Sequence, residues 1–189
     1  MTATTTPRIP LLDRHQVPPD VQGLFDALLA QRGAVTNMQR TIAHTPELLM
    51  AMSGFLKVLM GDGALTAVYK ELVAVRIAIL RGCDYCTASH SAQAKMRGAT
   101  QAQVDGLWNP DGGAFTPKER LGLRVADEIH NLAHGLPEAL YDEVQRVFTT
   151  QEIIELMVTA SVFEFTTRMV ESLGIPVSML AGSQLGPSR

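Results

Sequence analysis

The feature that most constrains the fold of this 189-residue chain is the run ELVAVRIAIL, which starts at Glu71 and is apolar on nearly every side. It belongs to a predicted helix that spans about residues 65–81 and ends before Gly82. A helix that is apolar all round is buried, so other helices must surround it. Strand patterns are nearly absent elsewhere in the chain, and the sequence therefore predicts an all-α fold.

Other helices are marked by their end signals, which are capping residues, prolines at the first helical position and terminal glycines. These signals predict further helices that begin near Pro18, Thr45, Asp84, Thr100, Thr116, Pro137 and Thr149. The expected architecture is a single-domain bundle of about seven or eight helices over residues 18–181. Residues 1–17, rich in Thr and Pro, are predicted to be a flexible arm, and residues 182–189 a flexible tail.

Composition excludes several classes of function. The net charge is −3 and no basic stripe occurs, which disfavours nucleic-acid binding. No segment is apolar for long enough to span a bilayer, and the amino terminus does not resemble a secretory signal. We therefore expect a soluble cytoplasmic protein with no membrane partner. Charged residues make up only 19% of the chain, which hints at subunit interfaces.

Both cysteines of the chain lie in the stretch GCDYCTASH, at residues 82–90. In a reducing compartment such a CxxC pair is more often catalytic or metal-binding than a structural disulfide. Cys83 and Cys86 fall in the first turn of a predicted helix, where the positive end of the helix dipole stabilises a thiolate. Helical geometry places His90 on the same face, one turn after Cys86. A histidine in that position can take the thiol proton and later return it.

Glu71 is the fourth candidate residue of the site. A carboxylate in a buried apolar helix is costly unless it has a partner, and this one could orient His90 or accept its proton. Two other interpretations of the cluster stay open: a zinc site formed by Cys83, Cys86, His90 and Glu71, and two buried cysteines that act as small apolar side chains. Thr87 directly follows Cys86, which excludes a c-type haem site, and the missing strands exclude a thioredoxin fold.

Two further histidines, His130 and His134, are spaced four residues apart on one predicted helix. That spacing suits a metal, but no glutamate accompanies it in an HExxH pattern. Both lie near the carboxyl end of the helix, where a charged histidine is favoured. We interpret them as solvated residues.

The core segment ELVAVRIAILRGCDYCTASHSAQAKMRGAT, with Glu71, Cys83, Cys86 and His90 at these separations, resembles the signature of the alkylhydroperoxidase D / carboxymuconolactone decarboxylase superfamily. The stretches FTPKER, LPEALYDEVQ and MVESLGIP are similar to its carboxyl-terminal helices, so the resemblance covers residues 65–176. It implies an alkylhydroperoxidase D-like helical bundle that forms homo-oligomers, often trimers or hexamers.

The resemblance also implies an activity, that of a peroxidase of the alkylhydroperoxidase type with a redox-active disulfide. Cys86 would attack an organic or hydrogen peroxide, and Cys83 would resolve the product and exchange with the reductant. Glu71 and His90 would form the proton relay. The implied reductant is a dithiol, with a lipoyl-bearing or thioredoxin-like protein as the candidates, and no cofactor or metal is predicted.

The chain departs from the best-studied peroxidases at Tyr85, where they have a histidine directly before the second cysteine. Tyrosine, with a pKa near ~10, is a poorer proton relay at neutral pH. Two alternative functions remain. One is a cofactor-free decarboxylase or lactone-processing enzyme of the same superfamily, although that branch lacks the CxxC pair. The other is a non-catalytic redox-sensing or zinc-binding protein.

Overall fold

The run ELVAVRIAIL forms the central helix of the structure, a computed structural model that describes residues 6–131 and 135–177. Those residues form nine α-helices, two short 3-10 helices and no strand. The helices are α1 (Pro19–Arg32), α2 (Asn37–Ile42), α3 (Pro46–Leu59), α4 (Ala67–Arg81), α5 (Asp84–Met96), α6 (Gln101–Gly106), α7 (Pro117–Asn131), α8 (Glu138–Val147) and α9 (Thr150–Leu173).

Helix α4 is buried on all sides, as its sequence predicts. Residues 72–75, 77 and 78 have no exposed surface, and α5, α7 and α9 pack against different faces of the helix. The Thr66 side chain accepts a hydrogen bond from the Tyr69 amide and caps its first turn. Burial of an all-apolar helix provides the main hydrophobic stabilisation of the bundle, and it confirms the all-α fold.

The buried start of α4 is attached to α9 through a charged side chain. Lys70 is only 2% exposed, and its Nζ lies 2.8 Å from Glu155 Oε2 and 2.9 Å from the Gly61 carbonyl oxygen. Burial raises the pKa of Glu155, but the Lys70 ammonium and the amides of Leu65 and Ala64 outweigh it, so the pKa lies below its ordinary value. This ion pair holds the loop before α4 against α9.

The predicted ends of the other helices are largely confirmed. Gly33 and Gly174 follow α1 and α9 with φ of 73° and 58°, in the left-handed region that favours glycine. Thr100 and Thr149 form capping boxes at the starts of α6 and α9. The predicted extension of α7 to His134 lies outside the described residues.

Helix α2 was not predicted, and it raises the number of α-helices among the described residues above the expected seven or eight. It has only six residues and no apolar periodicity of its own. A capping box starts it, in which the Thr36 side chain accepts from the Gln39 amide and the Gln39 side chain accepts from the Thr36 amide. Short helices of this kind depend on tertiary packing, so periodicity does not detect them.

Residues 6–17, which the sequence assigns to a flexible arm, contact the helical body. Arg8 Nη1 donates a hydrogen bond to the Ser172 carbonyl oxygen at 2.7 Å, and the Leu12 amide donates to the Arg40 carbonyl oxygen at 3.2 Å. Val17 is buried. The amino-terminal segment therefore lies beside the carboxyl end of α9. The predicted tail, residues 182–189, lies outside the described residues.

Candidate active site

The turn between α4 and α5 positions the two cysteines. Gly82 adopts the left-handed conformation, with φ of 68°. Its amide donates to the Ile79 carbonyl oxygen at 3.0 Å, and the Cys83 amide donates to the Ala78 carbonyl oxygen at 2.9 Å. These two hydrogen bonds form a Schellman motif at the carboxyl end of α4, and the chain changes direction at Gly82. Cys83 thereby becomes the N-cap residue of α5, which packs directly against α4.

The two sulfurs are in direct contact. The Cys83 Sγ–H donates to Cys86 Sγ at 2.7 Å, and the Cys86 amide donates to Cys83 Sγ at 3.2 Å. Both cysteines are free thiols, since a disulfide bond measures about 2.05 Å. Both are buried, with 0% and 3% of their surfaces exposed. A disulfide between them would require only a small movement of the side chains.

The surroundings give the two thiols opposite character. The hydrogen bond from Cys83 lowers the pKa of Cys86, and the His90 charge and the buried Thr167 hydroxyl act in the same direction, against burial and the charge of Glu171. Donating that hydrogen bond raises the pKa of Cys83, and burial raises it further. The surroundings therefore favour the thiolate form on Cys86 and disfavour it on Cys83.

Glu71 and His90 form a second pair beside the sulfurs. His90 Nδ1–H donates to Glu71 Oε2 at 2.8 Å, and Arg97 Nε lies 3.3 Å from the other carboxylate oxygen. Glu71 is 1% exposed, so the two partners compensate for its burial. Since Nδ1 is committed to Glu71, the nitrogen that His90 can present to a reacting group is Nε2. Phe163 packs edge-on against the imidazole, with 4.6 Å between the ring centroids.

The structure thus places all four predicted residues in the hairpin of α4 and α5, and it adds others that the sequence reasoning missed. Arg97 follows His90 by seven residues, or two helical turns on one face, so its spacing could have revealed it. Phe163 and Thr167 lie on α9, more than 70 residues beyond His90 in the chain. No local pattern connects such distant residues to a CxxC pair.

Tyr85, between the cysteines, is a buried residue with a structural contact. Its hydroxyl accepts a hydrogen bond from the Met38 amide at 3.3 Å, which connects α5 to α2. The ring belongs to the same apolar cluster as Cys83 and Cys86. The Tyr85 side chain therefore anchors α2 to α5.

The zinc site that the sequence left open as an alternative does not form among the described residues. Among residues 6–131 and 135–177, no three His, Cys, Asp or Glu side chains are placed to hold a metal ion. Glu71 and His90 bind each other and do not converge with the thiols on one point. His130 is not solvated as predicted, because its Nδ1 lies 2.7 Å from Glu164 Oε1 on α9 and its side chain is largely buried. His134 lies outside the described residues.

The fold is similar to that of solved peroxidase-related proteins. A peroxidase-related protein of Ralstonia eutropha with an alkylhydroperoxidase AhpD core superposes with a TM-score of 0.84 over 93% of this chain and 94% of its own, at 23% identity. Residues 46–128, which include all four candidate residues, match the carboxymuconolactone decarboxylase family. The chain belongs to the alkylhydroperoxidase D / carboxymuconolactone decarboxylase superfamily. The resemblance noted in the sequence is thereby confirmed.

Other proteins are similar to the chain in fold or in sequence. The debrominase Bmp8, in complex with 2,3,4-tribromopyrrole, has a TM-score of 0.80 over 93% of both chains at 20% identity, and its likeness is one of fold. Uncharacterized protein 4 in the cox locus of Paracoccus denitrificans is 32% identical over 100 residues, which cover 51% of this chain and 87% of that protein. An uncharacterized protein of Cupriavidus necator is 41% identical over 59 residues, and the match spans about half of its length (52%) and 31% of this chain.

None of the helices in the two described ranges is long and apolar enough to cross a membrane. The longest of them, α9, has 24 residues and carries charged side chains such as Glu164 and Arg168 along its length. Glu164 is buried, and the exposed Arg168 side chain places its Nε 3.5 Å from Glu164 Oε2.

Proposed function

We propose that the chain reduces hydroperoxides through a disulfide cycle of Cys86 and Cys83, with an external dithiol as the reductant. The observation that carries the proposal is the contact between the sulfurs, 2.7 Å apart, in which the Cys83 thiol donates a hydrogen bond to Cys86 Sγ. That contact stabilises a thiolate on Cys86 and keeps a second sulfur in place to react with its oxidised form. Membership of the superfamily supports the same chemistry.

In the first step the Cys86 thiolate attacks the distal oxygen of the peroxide. An S–O bond forms, the O–O bond breaks, and Cys86 becomes a sulfenic acid. The leaving alkoxide needs a proton, which His90 supplies from Nε2 while Glu71 holds Nδ1. The products are the sulfenic acid, the alcohol and a neutral imidazole.

In the second step Cys83 attacks the sulfenic sulfur. The Cys83–Cys86 disulfide forms and the sulfenic hydroxyl leaves as water. An external dithiol then returns two electrons in two exchange reactions and restores both thiols. Lipoyl-bearing and thioredoxin-like proteins are the proposed sources of that dithiol, and a cytoplasmic location fits because cytosolic systems keep dithiols reduced.

The proposal includes a homo-oligomer, a trimer or a hexamer. Helix α3 supports it, because Leu48, Phe55 and Val58 are apolar and about half or more exposed. Such a cluster on one helix is typical of a surface that another subunit covers.

Peroxide consumption in the presence of a dithiol tests the proposed cycle. We expect Cys86→Ser to lose turnover, and Cys83→Ser, assayed without the dithiol, to consume one equivalent of peroxide and stop at a sulfenic acid that a dimedone-type reagent traps. If Cys86→Ser kept full turnover, the mechanism would be wrong. An activity on lactone or carboxylate substrates that survives alkylation of both thiols would indicate the decarboxylase type instead, and zinc in freshly purified protein would indicate the metal-binding alternative.

A further inference from the structure

Helix α9 carries three buried threonines whose hydroxyl groups are bonded differently. The Thr159 hydroxyl donates to the Glu155 carbonyl oxygen at 2.6 Å, and the Thr166 hydroxyl donates to the Phe163 carbonyl oxygen at 3.4 Å. A threonine inside a helix ordinarily makes such contacts with the preceding turn. Thr167 is 0% exposed, but its Oγ1 has no hydrogen-bond partner among the described residues. One buried hydroxyl of α9 is therefore a donor without an acceptor.

A buried hydroxyl without a partner destabilises a protein, because the group loses its hydrogen bonds to water and gains none in exchange. Unpaired polar groups of this kind are candidates for a catalytic or ligand-binding role. The role of the Thr167 hydroxyl then depends on the groups that it faces.

The neighbours of Thr167 on α9 show which groups it faces. Phe163, one turn earlier, packs edge-on against the His90 imidazole, with 4.6 Å between the ring centroids. Val170, about one turn later, belongs to the apolar cluster that contains both cysteines. The three α9 side chains lie within about 60° on one face of the helix, since they are spaced four and then three residues apart. Thr167 therefore faces the part of α5 between His90 and the cysteines.

The same contacts give the register of the two helices. Along its length α9 meets His90 first and the cysteines later, so it runs opposite in direction to α5. His90 follows Cys86 by four residues, which span about 6 Å of helix. Thr167 follows Phe163 by the same number, so this register places it level with Cys86. The charge balance of the sulfur agrees, because the Thr167 hydroxyl adds to the hydrogen bond from Cys83 in lowering the pKa of Cys86.

We propose that the Thr167 hydroxyl donates a hydrogen bond to the oxygen atom that Cys86 receives from the peroxide. The inference rests on the proposed disulfide cycle and deepens it, because it names the group that binds the transferred oxygen. In the reduced protein the hydroxyl makes no hydrogen bond to the sulfur itself. An oxygen atom on that sulfur extends beyond it by one S–O bond and supplies the acceptor that the hydroxyl lacks.

The hydroxyl acts in both chemical steps of the cycle without losing its own proton. In the first step the Cys86 thiolate gives two electrons to the peroxide, the S–O bond forms, the O–O bond breaks, and the departing alkoxide takes a proton from His90. In the second step Cys83 attacks the Cys86 sulfur, the S–O bond breaks, and the Cys83 proton leaves with the hydroxyl as water. The hydrogen bond from Thr167 stabilises the oxygen while it is transferred and again while it departs.

The test compares two reactions of Cys86, of which only one leaves an oxygen atom on the sulfur. Oxidation by tert-butyl hydroperoxide forms the sulfenic acid, whereas alkylation by iodoacetamide displaces iodide and reports the thiolate alone. Both rates are measured by mass spectrometry in a Cys83→Ser parent protein, in which the sulfenic acid cannot form the disulfide. The added changes are Thr167→Val, Thr167→Ser and the control Thr159→Val, which removes an equally buried hydroxyl that is bonded within α9.

In Thr167→Val we expect the ratio of the oxidation rate to the alkylation rate to fall about tenfold, the effect of one lost hydrogen bond. Thr167→Ser should keep most of the ratio, since serine retains the hydroxyl, and Thr159→Val should leave it unchanged. A ratio that stays unchanged in Thr167→Val would overturn the proposal, because the hydroxyl would then have no contact with the transferred oxygen.

Thermal unfolding of the reduced proteins separates this role from a structural one. Thr167→Val exchanges an unpaired hydroxyl for a methyl group, so its melting temperature should equal or exceed that of the parent protein. Thr159→Val breaks a hydrogen bond and should lower the melting temperature. An equal loss in both variants would show that the Thr167 hydroxyl is already paired in the reduced protein, which would also overturn the proposal.

The two rates also distinguish a failure of this inference from a failure of the proposed function. If the parent protein is alkylated on Cys86 but does not react with the hydroperoxide, the disulfide cycle is wrong and the role of Thr167 is wrong with it. If the parent protein reacts with the hydroperoxide and Thr167→Val keeps its ratio of rates, the role of Thr167 alone is wrong.

Discussion

Replacing Cys83 with alanine removes the hydrogen bond that stabilises the Cys86 thiolate, and replacing it with serine keeps a donor at the same place. In the structure that bond is 2.7 Å long and is the largest influence that lowers the pKa of Cys86. Neither variant can form the disulfide. The pair of variants therefore isolates the effect of Cys83 on the first oxidation step.

The expected magnitude follows from the strength of a hydrogen bond to a charged group, which is about 1.5–3 kcal/mol. Since about 1.4 kcal/mol corresponds to a factor of ten, the thiolate population of Cys86 below its pKa should fall about 10- to 100-fold in Cys83→Ala. In Cys83→Ser the hydroxyl donates in place of the thiol, so most of the population should remain.

The assay is a single-turnover measurement of sulfenic acid formation at several pH values, with iodoacetamide alkylation as an independent probe of the thiolate. The rate near neutrality should fall in the order wild type, Cys83→Ser, Cys83→Ala. At pH values well above the ordinary thiol pKa of ~8.5 the three rates should converge, because all three proteins are then thiolates. Equal rates for Cys83→Ala and Cys83→Ser near neutrality would refute the assignment of the hydrogen bond.

Three further predictions concern an ion pair, a packing contact and an exposed apolar surface outside the site. Glu155→Gln leaves the ammonium of Lys70 buried without its charged partner, and the free energy of unfolding in urea should fall by about 3 kcal/mol at neutral pH. Because the folded state lowers the pKa of Glu155, this difference should shrink as the pH falls through that depressed value. Gly122→Ala places a methyl group against the Tyr69 hydroxyl and should destabilise the protein by about 1–3 kcal/mol, measured in the same way. Val58→Glu places a charge on the exposed apolar face of α3 and should dissociate the proposed oligomer, as measured by light scattering.

Matched controls are available for the last two changes. Gly54→Ala on α3 meets no other atoms within 4 Å and should stabilise the protein by up to about 1 kcal/mol through helix propensity alone. Lys57→Glu changes charge beside Val58 without adding it to the apolar face. If Gly122→Ala changed the stability as Gly54→Ala does, the contact with Tyr69 would not limit the packing of α7 on α4. If Lys57→Glu also dissociated the oligomer, the change in net charge rather than the apolar face would be the cause.

Most of the fold could be predicted because its helices begin and end at local signals. The left-handed glycines after α1, α4 and α9, and the capping boxes of α6 and α9, depend on residues within one turn of the chain. Helix α2 and the amino-terminal segment depend on contacts with distant residues. The Asn37 side-chain amide donates a hydrogen bond to the Pro176 carbonyl oxygen, and Arg8 donates one to the Ser172 carbonyl oxygen. No local sequence pattern predicts either contact.

The candidate site also contains residues that local sequence patterns predict and residues that depend on distant contacts. Glu71, Cys83, Cys86 and His90 lie within 20 consecutive residues, and helical periodicity together with the turn at Gly82 brings them to one side of the hairpin. Two smaller influences on the pKa of Cys86, those of Thr167 and Glu171, come from α9, which packs against α4. Thr167 and Glu171 could not be assigned from one sequence, because their positions depend on how α9 rotates about its axis when it docks.

The charges around Glu71 also bear on the proposed chemistry. The buried carboxylate of Glu71 is paired with His90 and Arg97, and its charge also acts on Arg32 at the carboxyl end of α1. Burial lowers the pKa of Arg32, the negative charge of Glu71 opposes that effect, and the positive charge of Arg97 adds to it. In the proposed cycle, the positive charge of Arg97 next to the Glu71–His90 pair would stabilise the alkoxide that leaves when Cys86 cleaves the O–O bond.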